Sequence, residues 1–355
     1  MSILSRLCLV VGLSLCTGLA SAQPAAQPGA AEPSNVQEQQ KRQATQPGNN
    51  APVWRDVRSG QENFTTIKGR ETGVLIQSGG DTWRRVRNGP VTFYGGLLVV
   101  LIAAAILAFY SIFGPVKLHD KPTGRLIQRF SRLDQIVHWS VAISFCILGL
   151  GGLIMLFGKH VLLPVIGYTL FAWLTALSKN LHNFVAPIFI VSVAAMIVLY
   201  VRHNLPKAYD LKFLMGAFAV MAKGKHIPSG KFNGGEKVWF WGGVVGLSIV
   251  VTWSGLILLF PNFDQTRAVM QEAWIWHACA ALLYISISFG HMYLGTIGLD
   301  GSYQAMRSGY VDETWAKEHH QYWYEEMKSK SAAQPARGGA VPAGAPHAPM
   351  GKTQN

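Results

Sequence analysis

The chain has 355 residues, 50% of them hydrophobic and only 14% charged, and Lys plus Arg exceed Asp plus Glu by thirteen. Charge this sparse, with apolar residues gathered in long runs, excludes an ordinary soluble globule and points to an integral membrane protein. The basic residues sit in loops beside the apolar runs, as the positive-inside rule expects, which argues against a nucleic-acid-binding surface.

Residues 1–22 carry Arg6, an apolar run to Leu19 and the small-residue exit Ala20-Ser21-Ala22, the pattern of a cleaved signal peptide. Residues 23–53 are rich in Gln, Pro, Ala and Asn and predict a disordered linker. Residues 54–90, with Trp54, Phe64, Val74, Leu75, Ile76 and Trp83, complete an expected periplasmic segment (23–90) that packs on a partner or on the membrane. Five apolar stretches then have spanning length: 91–113, 137–157, 183–201, 238–260 and 273–297. The fold expected is all-α: a four-helix transmembrane bundle within 114–330, with one additional N-terminal helix.

A signal peptide puts the first loop outside, and the loops then alternate. The three inner segments hold eighteen Lys plus Arg and the two outer loops three, which sets the N-terminus outside and the C-terminus inside. Arg84, Arg85 and Arg87, just outside the first span, oppose this order. Residues 161–177 are apolar but short and interrupted by Pro164 and Gly167, so they read as an interfacial or re-entrant piece on the outer face. Residues 211–222 read as an interfacial helix on the inner face. The aromatic and charged stretch 315–327 reads as an inner-surface helix or partner contact, and 331–355 as a disordered tail. Of the four cysteines, Cys8 and Cys16 lie in the leader and Cys146 and Cys279 in spans. With no CxxC and no CxxCH they predict no iron–sulfur cluster, no zinc site and no covalently attached c-type haem.

Four of the eleven histidines lie at or within spans: His138, His182, His277 and His291. The last two share one span. Fourteen residues of helix separate them, a rise of ~21 Å with the side chains only ~40° apart around the axis. His138 opens the second span at the inner border and shares a level with His291. His182 opens the third span at the outer border and shares a level with His277. Two pairs at two depths are what two bis-histidine b-type haems need, one imidazole nitrogen on each side of each iron. A lone histidine at a helix end is ordinarily interfacial, but histidine inside hydrocarbon is costly and marks function. Metal or proton transport would want carboxylates in the spans, and the second to fourth contain neither Asp nor Glu. Gly149, Gly151 and Gly152, and the pair Gly242 and Gly246, suit either close approach of a macrocycle or helix–helix packing. Trp139, Trp173, Trp239, Trp241, Trp274 and Trp276 read as interfacial anchors.

The run 133–307, with part of the tail, resembles the gamma (cytochrome b) subunit of membrane-bound formate dehydrogenase. The matching pieces are RLDQIVHW (132–139), NLHNFVAP (180–187), GKFNGGEK (230–237), WHACA (276–280), HMYLG (291–295) and WAKEHHQYWY (315–324). The leader, the outer segment and the first span resemble a longer variety of the family. The resemblance implies a bacterial inner-membrane electron-transfer subunit of an oxidoreductase complex. In it, His182 and His277 bind the periplasmic-side haem, and His138 and His291 the cytoplasmic-side haem. Asn233 and Gly235 match the family's quinone-site loop; read from the residues alone, that loop is a tight turn before the fourth span. Arg125, Arg129 and Arg132 either pair haem propionates or face lipid headgroups. The implied partners are an iron–sulfur (beta) subunit, a molybdenum- or tungsten-containing (alpha) subunit that oxidises formate, membrane lipid, and a quinone that accepts the electrons. The cytochrome b subunit of a nickel–iron hydrogenase is the nearest alternative, and a non-redox membrane anchor is the alternative of another class.

Overall fold

The computed structural model describes residues 79–333 and, before them, only positions 37, 41, 58 and 59. The chain divides into two compact units, 1–62 and 63–355, and residues 79–333 lie in the second. The expected signal peptide, nearly all of the linker and the tail beyond residue 333 fall outside the described residues.

Among the described residues five helices are long and apolar enough to cross a membrane, the number expected. They are α1 (Gly80–Phe113), α2 (Arg132–Val161), α3 (Leu163–Tyr200), α5 (Gly234–Leu259) and α6 (Arg267–Gly298). Between α3 and α5 lies α4 (Ala208–Lys223), and after α6 come the short α7 (Ser302–Ser308), α8 (Glu313–His319) and α9 (Gln321–Ala333). Strands β1 (Leu126–Gln128) and β2 (Tyr310–Asp312) pair antiparallel, with Ile127 opposite Val311. Helices α2, α3, α5 and α6 form the bundle, and α1 lies along α6. The bundle's tail end is the one where α2 starts, α6 finishes and the two strands pair.

The chain begins to coil earlier than the apolar run implies. Helix α1 starts at Gly80, and a π-helical turn, Arg87–Val91, accommodates Pro90, which has no N–H to give. Arg84 and Arg85, two of the residues that oppose the expected topology, both pair with Asp81 at 2.7 Å. The third, Arg87, lies over the rings of Trp83 and Trp274, which meet edge to face. Gly95 and Gly96 then let α1 approach Leu282 of α6 and Phe157 of α2.

Residues 161–177 divide at Gly167, whose φ of +74° and ψ of 172° break the helical path: 163–166 form a short helical piece, and from residue 168 the chain runs on unbroken through His182 to Tyr200. From Gly167 to Tyr200 the helix rises ~50 Å, longer than an untilted crossing of a ~30 Å hydrocarbon layer needs. His182 is therefore inside a helix rather than at its start. It still lies ~27 Å along the axis from Tyr200, which keeps it at the far level. α2 and α3 pack closely: a Cβ on Gly151 would sit 3.3 Å from the Ser178 carbonyl oxygen, so this glycine serves helix packing.

At the tail end the loops close on one another. Trp315 is buried, and its indole N–H donates to the Asp300 carbonyl at 2.9 Å. His320 is buried with Nδ1 2.7 Å from the Gly230 carbonyl. Ser229 Oγ donates to the His319 carbonyl. The stretch 315–327 is thus largely an internal brace on the 225–237 loop, and its burial comes from long-range packing. Helix α4 presents Leu211, Met215 and Phe218 outward on one face, as an interfacial helix would.

Candidate functional site

Two pairs of histidine rings face each other across the bundle helices; His138, His182 and His277 are half-buried and His291 is exposed. The His138 and His291 centroids are 6.2 Å apart at the tail-end level, and those of His182 and His277 are 6.0 Å apart at the far level. The structure brings together the four residues in the two pairs expected. An imidazole nitrogen sits ~2 Å from a metal it ligates, and the ring centre lies about 1 Å beyond it, so two rings on opposite sides of one iron have centroids about 6 Å apart. Both pairs meet that spacing.

The far pair is also oriented for ligation. His182 Nδ1 faces the Leu148 carbonyl at 3.2 Å, and His277 Nδ1 faces the Val251 carbonyl at 3.0 Å and Ser254 Oγ at 3.2 Å. Donating Nδ1–H to a carbonyl leaves Nε2 with its lone pair free, the usual outer support of a metal-bound histidine. Gly255 lies against His277, where a Cβ would fall 3.1 Å from Cε1, and Gly152 faces His182 at 3.9 Å. At the other level, His138 Nδ1 is buried without a protein partner, and Trp239 stacks on His291.

Between the levels lies Tyr284, seven residues from each histidine of α6 and so on nearly the same helix face. Its ring packs on Phe145 at 4.7 Å and on Trp239 at 5.7 Å, and its hydroxyl meets Ser248 Oγ at 3.1 Å. Tyr284 is buried and Phe145 and Trp239 half-buried, and Tyr284 with Phe145 stands between the two histidine pairs.

Asn233 caps α5. Its Oδ1 accepts from the Glu236 N–H at 2.9 Å, and Glu236 accepts from the Asn233 N–H at 2.7 Å. Gly235 is exposed at the first turn. The tight-turn reading of GKFNGGEK thus describes the backbone, with the side-chain NH2 of Asn233 left over as a donor. Arg129 does not face lipid headgroups. It is buried, donates to the Lys231 carbonyl at 2.7 Å and to Glu236 at 3.0 Å, and lies 5.0 Å from the Trp315 ring centre. Arg125 pairs with Glu313.

The profile of the prokaryotic cytochrome b561 family matches residues 129–309, just over half of the chain and all four bundle helices. The chain belongs to the prokaryotic cytochrome b561 family. It is similar to the nitrate-inducible formate dehydrogenase cytochrome b556 subunit of Escherichia coli (strain K12), 29% identical over 218 residues that cover 59% of this chain and 94% of that protein. A second E. coli K12 formate dehydrogenase cytochrome b556 subunit is 28% identical over 205 residues, covering 57% and 93%. The formate dehydrogenase cytochrome b556 subunit of Haemophilus influenzae is 27% identical over 208 residues, covering 55% and 82%. The likeness to formate dehydrogenase cytochrome b subunits read from the motifs is borne out. The protein is a multi-pass membrane cytochrome of the b561 family, and α1 with everything before it lies outside the matched region.

Sequence reasoning missed several residues of this cytochrome. Trp239 reads as an interfacial anchor, yet its half-buried ring stacks on His291 at the point where the helix passes from α- to π-coiling, which runs from Trp239 to Leu247. That coiling leaves no trace in residue spacing. Tyr284 carried a signal, its seven-residue spacing from both His277 and His291. The partners of His182 and His277 are backbone carbonyls and have no side-chain signature.

Proposed function

We propose that the chain is the membrane-anchoring cytochrome b subunit of a formate dehydrogenase complex, passing electrons from an iron–sulfur subunit by way of two b-type haems to a quinone. The observation that carries this reading is the pair of imidazole spacings, 6.2 and 6.0 Å, at two levels of a bundle that matches the family. His182 with His277 hold the haem at the far level, and His138 with His291 the haem at the tail-end level. A haem bound at each supplies a one-electron couple whose potential answers to axial ligands and surrounding dielectric. The chain's own residues fix the imidazoles and keep Tyr284 and Phe145 between the levels.

The quinone site lies at the tail end, where Asn233 offers its side-chain NH2 to a carbonyl oxygen and Gly235 allows close approach of the ring. Formate is oxidised on a separate molybdenum- or tungsten-containing subunit. The bundle lies in a bacterial inner membrane, with the tail end and C-terminus cytoplasmic and the chain's mature N-terminus periplasmic. The bacterial source of the relatives and the eighteen-to-three excess of inner basic residues support this reading.

The test is a reduced-minus-oxidised spectrum with a pyridine haemochrome count on the purified chain, repeated for His277→Ala and His291→Ala. Two haems in the parent, with each variant losing at least one, is the expected result. Absence of haem, or a count indifferent to both substitutions, would overturn the reading.

A further inference from the structure

We propose that His119, His226 and Glu318 form a binding site for a divalent transition-metal ion, zinc by ligand type, that clamps the tail to two loops at the tail end of the bundle. The three residues come from the loop after α1, the loop before α5, and α8. One ligand atom from each lies within 4.8 Å of the others. Nothing in the haem or quinone chemistry uses them.

The donors are oriented, not merely close. His226 Nδ1 faces the Glu318 carbonyl at 3.0 Å, so it carries the proton and Nε2 carries the lone pair. That Nε2 meets His119 Nδ1 directly and lies 3.6 Å from Glu318 Oε2. The Glu318 carboxylate is 8% exposed and is aimed by two backbone donors: His119 N–H to Oε2 at 3.0 Å and Asp120 N–H to Oε1 at 2.9 Å. Two imidazole nitrogens and a carboxylate oxygen converging on one point repel unless a proton or a cation lies between them. His319 supplies a second observation. Its ring is 5.8 Å from that of His226, and its buried Nε2 has no hydrogen-bond partner.

Two or three imidazoles with one carboxylate are a nitrogen–oxygen set that suits tetrahedral zinc. The His119 ring is 57% exposed, which leaves the ion a path from water. The cysteine count could not reveal such a site, because it contains no cysteine. A bound ion would join α8 to residues 119 and 226 and so hold the brace around Ser229, Gly230 and His320.

The experiment uses the full-length, haem-loaded chain in detergent, purified on a tag without histidine and stripped with a chelator. Zinc chloride is titrated calorimetrically, zinc per chain is measured by elemental analysis, and thermal unfolding is followed with and without zinc. One saturable zinc ion per chain is expected, with a raised unfolding temperature. His226→Ala and Glu318→Gln should each weaken binding at least about tenfold and abolish the zinc-dependent shift, while His160→Ala changes neither. Should either variant lose its helical circular dichroism, His119→Gln, at the most exposed ligand, takes its place. The absence of saturable zinc binding overturns the proposal and leaves a histidine pair sharing a proton. Binding that survives all three substitutions overturns it as well.

Discussion

Trp239 and His291 lie face to face, their ring planes 13° apart and their centroids 4.9 Å apart. The indole stands at the first residue of a π-helical stretch, a distortion that often marks functional sites. Trp239→Leu should remove about 1 kcal/mol of ring stacking and loosen the His291 imidazole. A redox titration should then show the tail-end haem shifted or broadened and the far-level haem unchanged. Equal shifts in both would mean that Trp239 acts through the bundle as a whole.

Asn233 has two functions that substitution can separate. Its Oδ1 caps α5, and its NH2 is the proposed quinone donor. Asn233→Asp keeps a capping acceptor and removes the donor; Asn233→Ala removes both. Quinone reduction should fall in both variants, whereas thermal stability should fall by ~1 kcal/mol only in Asn233→Ala. Wild-type quinone kinetics in Asn233→Asp would assign the residue to the cap alone.

Lys237 and Asp210 form a nearly buried ion pair at 2.8 Å, and Lys237 also donates to the Leu205 carbonyl. Lys237→Met strands the Asp210 charge and should cost ~3–5 kcal/mol. The double variant Lys237→Met, Asp210→Leu should recover part of that loss, because neither charge is then left unpaired. Unfolding temperatures of the single and double variants check this, and a double variant no better than the single one would refute it.

The parts legible in the sequence are those decided by run length and by spacing along one helix. Five spans follow from apolar length, and the pairing of His138 with His291 and His182 with His277 follows from depth. Residues 161–177 are legible in part: Gly167 does interrupt the helical path, as its place in the sequence suggests, but nothing local shows that 168–177 run without a break into the helix that carries His182. Trp239 escaped because α5 is apolar on all sides, so no polar face reveals which way a given residue points. The tail escaped for the opposite reason: Trp315 and His320 are buried by contacts with residues some ninety or more positions away, around Arg129 and Gly230. Local pattern carries no record of such contacts.

Asp312 ties β2 and α8 to the loop after α1. Its carboxylate accepts from the N–H of Thr314 at 2.8 Å, Thr123 at 3.1 Å and Gly124 at 2.7 Å. Burial alone would raise its pKa, but these donors outweigh burial and hold it below the ordinary 3.8. A carboxyl whose folded pKa lies below its unfolded one stabilises the fold fully above the unfolded value. That contribution is lost as pH falls through the folded value, because the unfolded chain then takes up protons first. Thermal unfolding of the detergent-solubilised chain should therefore show stability declining as pH is taken below 3.8. Asp312→Asn should be less stable at neutral pH and should decline less steeply in acid, since it has no carboxyl to protonate. Identical acid slopes for the two proteins would place the titrating group elsewhere.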